Sequence, residues 1–256
     1  MKNRVTVLCA FFIASFVFSQ TARAVEITGL QPVQPYGVFS SFSADTVKKG
    51  GFALGLDYQN LIDLNSRLAL KSGYGVADNA DLLVNIPYIL DYENESGWED
   101  IALGLRHRLI DEGTYSPSIA YMFKVGLTNG WRRFSTDGSV GGGIVVSKKI
   151  GPFSSHLNFL YSEPFDKTLD AQMEFSLGVA LKASHDFDIL GELYVLNSYF
   201  VDNFETAEAR FGYRIKTADY IYTVIGAGFD LKNRDPEFRL MISINLLFER
   251  ARSDGN

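Results

Sequence analysis

The chain has 256 residues, 30 acidic against 24 basic side chains, and a single cysteine, Cys9. The acidic balance argues against nucleic-acid binding, and one thiol leaves no disulfide framework. With 20 Phe, 13 Tyr and 23 Gly, the composition suits a membrane β-barrel, and equally a large soluble β-sandwich.

The first residues have the three-part layout of a secretory signal peptide. Lys2 and Arg4 precede an apolar run, Val5 to Phe18, and Thr21-Ala22-Arg23-Ala24 supplies a small-residue cleavage site. The run is too short for a transmembrane helix, which needs ~20 residues. Cleavage after Ala24 leaves 232 residues with a net charge of −9. Cys9 departs with the signal, so thiolate catalysis and thiolate metal sites are excluded. Residues 25–50, with Pro32, Pro35 and several serines, carry no strand pattern. They are either a periplasmic leader or a plug inside the lumen.

From Gly51 onward apolar residues recur at every second position, the period of a strand with two unlike faces. Between 171 and 184, Met173, Phe175, Leu177, Val179 and Leu181 oppose Gln172, Glu174, Ser176, Gly178 and Lys182. In the last such run, Phe238, Leu240, Ile242, Ile244, Leu246 and Phe248 oppose Arg239, Met241, Ser243, Asn245 and Leu247. Strands are expected near 51–60, 66–75, 80–90, 99–109, 116–127, 139–149, 153–162, 171–183, 187–197, 206–216, 219–230 and 237–248. That makes about twelve, an even number of roughly the ~9–11 residues a tilted strand needs to cross a bilayer.

Short turns (76–79, 150–152, 185–186, 217–218) alternate with longer polar loops (91–98, 128–138, 162–170, 198–205), as in outer-membrane barrels. The short connection 61–65 breaks the trend. An even strand count leaves both termini in the periplasm, with residues 249–256 a polar tail. Aromatics near strand ends (Tyr74, Tyr88, Tyr92, Trp98, Tyr161, Tyr199, Tyr213 and Tyr220) suit interfacial girdles, and Phe248 ends the last strand. These features favour an all-β, antiparallel up-and-down transmembrane barrel over 51–248, and not a sandwich.

The stretch 73–109 carries a family resemblance. Tyr74-Gly75-Val76-Ala77-Asp78-Asn79-Ala80-Asp81 is followed by Ile86-Pro87-Tyr88, then by Gly97-Trp98-Glu99-Asp100-Ile101-Ala102-Leu103-Gly104-Leu105-Arg106. This resembles the outer-membrane transporters named for the meta-pathway of phenol degradation. Asp78 and Asn79 suit a tight turn, and Gly104 leaves room on the inner wall. The family's Pro-Thr-Gly stands here only as Thr128-Asn129-Gly130. The resemblance implies a barrel that moves small, hydrophobic or aromatic molecules.

On this parity the lumen receives Arg67, Lys71, Arg106, Arg108, Lys124, Lys182, Arg210, Arg214 and Arg239, with Asp57, Asp81, Asp100, Glu174, Glu192 and Glu208. The charges either form a constriction that selects solutes or pair and fill a closed lumen. Glu192 and Arg210 fall on adjacent strands and could pair. His107 falls on the lipid face, His156 on the lumen face and His185 in a turn; none has metal-ligand spacing. Trp131-Arg132-Arg133-Phe134, on the longest outer loop, either folds into the mouth, meets lipopolysaccharide phosphates or stays solvated. Gly141-Gly142-Gly143 lacks a following helix and is no phosphate loop.

The expectation is an outer-membrane channel or diffusion-type transporter without cofactor, metal or catalytic centre. Its partners would be outer-membrane lipid and lipopolysaccharide, small-molecule solutes, and the barrel-assembly machinery during biogenesis. The rival is a closed structural or interaction barrel with a charge-filled lumen.

Overall fold

The computed structural model describes residues 29–249, apart from 63, 198, 200–203 and 233–236. The expected signal peptide and the polar tail past Glu249 lie outside the described residues.

Alternating side chains produce a ring of antiparallel strands. In chain order these are β1 (Phe52–Leu61), β2 (Asn65–Ala77), β3 (Ala80–Tyr92), β4 (Glu95–Trp98), β5 (Ala102–Ile110), β6 (Ser118–Gly126) and β7 (Ser139–Ile150). Then come β8 (Phe153–Pro164), β9 (Gln172–Lys182), β10 (Phe187–Asn197), β11 (Phe204–Ala218), β12 (Ile221–Asp230) and β13 (Phe238–Phe248). Successive strands pair, except that β5 joins β3 instead of β4, and β13 pairs with β1 from Phe52↔Phe248 to Leu61↔Arg239, which closes the ring. Closure removes the free edges that an open sheet would expose.

The segments β4 and β5 both pair with β3 and together make one wall strand, so the barrel has twelve. The sequence led us to expect a single strand over 99–109. Instead Glu99, Asp100 and Ile101 interrupt it opposite Pro87, which has no N–H to offer a ladder. Glu99 N–H still reaches the Pro87 carbonyl at 3.2 Å. Three residues facing two form a bulge, and both Glu99 and Asp100 turn inward, buried.

The expected loop over 91–98 is mostly strand. Its turn is only Glu93 and Asn94, both with positive φ (51° and 65°), as a two-residue hairpin turn requires. A register shift beside Leu90 also changes the parity at the end of β3. Tyr92 therefore points inward, not toward a lipid girdle, and is buried against Ile89 and Phe134. Tyr199 is also buried, so it too is no girdle residue.

The outer face is apolar. Leu56, Leu70, Phe123, Ile144, Phe159, Leu177, Leu193, Phe211 and Ile244 are all exposed. Stacked rings, such as Tyr220 on Phe248 at 5.9 Å, mark the rim that carries the short turns. Such an outer face around a closed barrel suits hydrocarbon on every side.

The apolar core lies inside the barrel and is built with residues 29–50. Leu30, Phe42 and Ala44 pack on Leu83, Met122, Val145 and Leu160 of one wall. Val38 and Phe39 pack on Leu190, Val224 and Met241 of the opposite wall. Val33 and Val47 pack near Ala53. The described part of this segment, residues 29–50, thus packs its apolar side chains against opposite walls of the ring.

Candidate functional site

The interior is built from inward-facing charges and from the segment they hold. Irregular backbone inside a barrel must find hydrogen-bond partners in the wall, and here polar side chains from most of the ring supply them. The Glu192 carboxylate accepts from Ser40 N at 2.9 Å and from Ser41 N at 2.8 Å, and from the Ser41 hydroxyl at 2.7 Å. Asn158 accepts from Phe42 N at 2.6 Å and donates to Phe42 O at 3.0 Å. Ser147 Oγ accepts from Ala44 N at 2.8 Å, Asp81 Oδ2 from Val47 N at 3.0 Å, and Asn245 Oδ1 from Gln34 N at 3.2 Å. Asn85 Nδ2 donates to Gly29 O at 2.7 Å.

Two arginines clamp the same segment. Arg106 forms a two-point pair with Asp81 (3.1 and 2.6 Å) and donates to Ser43 O at 2.7 Å. Arg214 pairs with Asp188 at 2.7 Å and donates to Gln34 Oε1 at 2.6 Å and to Gly37 O at 3.1 Å. At the short-turn rim the Tyr36 hydroxyl donates to Glu249. Burial, and then that carboxylate, push the Tyr36 phenol above its ordinary pKa.

A second network runs along the wall itself. Glu192 pairs with Arg210 at 2.9 Å, Arg210 with Glu208 at 2.7 Å, and Glu208 with Arg239 at 2.8 Å. Arg239 donates to Gln59 at 3.3 Å, Gln59 to Asp57 at 2.8 Å, and Asp57 pairs with Lys71 at 3.4 Å. The chain spans β10, β11, β13, β1 and β2. It passes over β12 at Gly228, where a Cβ would fall 3.1 Å from Arg210 and 3.3 Å from Glu208. Arg210 also stacks on Tyr194, 3.9 Å from the ring centroid. Separately, Arg67 meets Glu99 at 2.5 Å.

Of the charges singled out from the sequence, Arg67, Lys71, Arg106, Lys124, Glu174, Glu192, Glu208, Arg210, Arg214 and Arg239 are buried. Arg108 sits at the short-turn rim, paired with Asp45 at 3.2 Å and Asp111 at 2.7 Å. Glu99 escaped sequence reasoning because strict alternation puts it outside. The inward apolar residues Leu83, Met122, Leu190 and Val224 were the available sign that something apolar fills the lumen.

The histidines are held by neighbours. His107 packs edge-on against Tyr121 at 5.3 Å. His156 Nδ1 lies 2.8 Å from Ser147 Oγ, the hydroxyl that holds Ala44. His185 pairs with Asp186 at 3.0 Å in its turn. Among the described residues no group of three or more His, Cys, Asp or Glu side chains could hold a metal.

The 127–138 loop folds over the mouth. Asp100 accepts from Gly130 N at 3.0 Å, Ser135 Oγ at 2.6 Å, Thr136 N at 2.7 Å and Thr136 Oγ1 at 2.8 Å. Phe134 is buried between Ile89 and Tyr92, while Arg133 pairs with Glu95 at 2.8 Å and with Glu93.

Among the described residues, cavities lie at both ends of the barrel. A cavity of about 420 Å³ opens at the short-turn rim, and one of about 340 Å³ lies between the β1–β2 and β3–β4 tips. A small cleft of about 10 Å³ lies between plug and wall at Gln34, Phe39, Gln59 and Met241. That is room for at most one water.

No family model and no curated relative matches the chain. Among solved structures it is similar to an outer membrane channel from Pseudomonas putida F1, with TM-score 0.65 and 12% identity, over 80% of this chain and 98% of that one. It is also similar to the KdgM porin (TM-score 0.56, 9% identity, 77% and 99% covered). A third likeness is to the CymD monoaromatic hydrocarbon channel (TM-score 0.50, 10% identity, 90% and 100% covered). At such identities the likeness is one of fold: the chain shares the closed antiparallel β-barrel architecture of these proteins.

Proposed function

We propose that this chain is a channel of the bacterial outer membrane through which small solutes diffuse, with residues 29–50 keeping it narrow at rest. The observation that carries the reading is the combination of an apolar outer face with a polar, charge-lined interior that holds cavities. A core built only for stability would gain little from so many buried charges. The short-turn rim faces the periplasm and the 127–138 loop the exterior. Export follows the signal at 1–24, insertion uses the barrel-assembly machinery, and lipid and lipopolysaccharide surround the product. Small hydrophobic or aromatic solutes are favoured by the resemblance around 73–109 and by the likeness to a monoaromatic hydrocarbon channel.

A specific observation favours the closed structural barrel as a second reading: the inward charges pair with one another, and the seam beside the plug is nearly shut. Swelling of proteoliposomes separates the two. The channel reading expects swelling with a small aromatic solute beyond that of protein-free vesicles. No swelling from folded protein, with or without residues 29–46, would favour the closed barrel.

A further inference from the structure

The cavity at the short-turn rim has an electrostatic character that the interior networks do not explain. It is lined by Lys149, Lys182, Lys216 and Arg214, against two carboxylates, Asp186 and Asp188. Both carboxylates are already engaged. Asp188 is held by Arg214 at 2.7 Å, and Asp186 by His185 at 3.0 Å. Lys216 reaches only the fully exposed Asp219, at 3.3 Å.

Among the described residues no carboxylate lies within ion-pair distance of the ammonium of Lys149 or of Lys182; Glu112 attracts Lys149 from the side and accepts its backbone N–H, and the Lys182 N–H is bonded to Pro152. The register sets the cations in order. Lys149 on β7 is followed by Ser154 on β8, which pairs with Ala180, two residues before Lys182 on β9. Lys182 pairs with Asp188 on β10, and Lys216 on β11 with Tyr222 on β12. Lys149 and Lys182 thus stand two strands and two residues apart along the wall, about 12 Å at ~4.8 Å per strand and ~3.4 Å per residue.

Besides Ser154, the rest of the lining is apolar: Pro35 of the plug, Pro152, Ala180 and the ring of Tyr222. The volume of about 420 Å³ falls in the ordinary range for small-molecule sites. Unpaired ammonium groups beside an apolar wall recognise an anion with a hydrocarbon body.

We propose that this vestibule is a binding site for small organic monocarboxylates, an aromatic acid being the best fit. The carboxylate lies between Lys149 and Lys182, and the ring lies against Pro35 and Tyr222. The inference rests on the channel reading only for its purpose, since the site would hold such an anion whether or not it then crosses the barrel.

The test is fluorine NMR binding to the folded mature protein in zwitterionic detergent, with 4-fluorobenzoate, 4-fluorobenzyl alcohol and inorganic phosphate as probes. The benzoate should bind more tightly than the alcohol or phosphate, and added salt should weaken it. In the K149Q/K182Q double variant, with heat-modifiable gel mobility retained, benzoate binding should fall at least about tenfold, the loss expected for a charge-assisted contact. Binding of the alcohol should stay as it was. Equal affinity for alcohol and benzoate, a preference for phosphate, or unchanged benzoate binding in the double variant would overturn the proposal. Binding as expected without vesicle swelling would retain this site and remove the channel reading, and swelling without binding would do the reverse.

Discussion

Single side chains decide whether the lumen is open or filled. Glu192 shares its two oxygens between Arg210 and the Ser40–Ser41 backbone, so the wall network and the plug meet at one carboxylate. Beside it the wall is thinned by glycine. A Cβ at Gly178 would fall 2.8 Å from Ser41 Cβ and 2.9 Å from Val38, and one at Gly104 would fall 2.2 Å from Leu30. These glycines are the sockets into which the plug seats. Replacing Gly178 by Leu should therefore unseat the plug without breaking the barrel. Cys9 is the single cysteine, so in a chain expressed from Val25 a reporter at V38C is unambiguous. Val38 is fully buried, and its thiol should react slowly with a maleimide in the parent barrel and many-fold faster beside Gly178→Leu. Equal rates would mean that the glycine is not needed for seating.

At the scale of elements, alternation carries most of the fold. The bounds of β7, β8, β10 and β13 fall within about two residues of those expected from sequence, because each has one lipid face and one inner face. Where alternation fails, the cause is local. Pro87 removes a donor, the partner strand bulges, and two consecutive acids, Glu99 and Asp100, both enter the barrel. No periodicity announces such a bulge.

The second acid has a consequence for the mouth. Asp100 holds four groups of the 127–138 loop, so Asp100→Ala should release that loop and let a protease bind the backbone at the already exposed Arg132 and Arg133. Limited trypsin digestion should then cut there at least about tenfold faster, given that each lost hydrogen bond to a charged group is worth ~1.5–3 kcal/mol. Barrel mobility on unheated gels should be unchanged. A loop still resistant to trypsin would show that burial of Phe134 holds it alone. The plug was illegible for a different reason. Irregular backbone has no period, and its partners (Asn85, Ser147, Asn158 and Asn245) read from sequence as ordinary lumen polarity.

For the whole molecule, the ring and the plug answer the same requirement. A barrel of this size encloses a space that must be filled by side chains, by water or by its own chain. This one uses paired charges toward the long-loop mouth and residues 29–50 elsewhere, leaving a vestibule at the short-turn rim. The apolar outside and the closed ring of strands suit it to a bilayer. On the proposed channel reading, the narrow cleft beside Phe39 makes the plug the resistance to flow.

Single-channel conductance in a planar bilayer tests that claim most directly, comparing the mature chain with a variant lacking residues 29–46, both shown to be folded by heat-modifiable mobility. The account predicts small, infrequent openings from the intact barrel and a large, steady conductance from the variant. Equal conductance would contradict the plug as the barrier, and silence from both would contradict the channel.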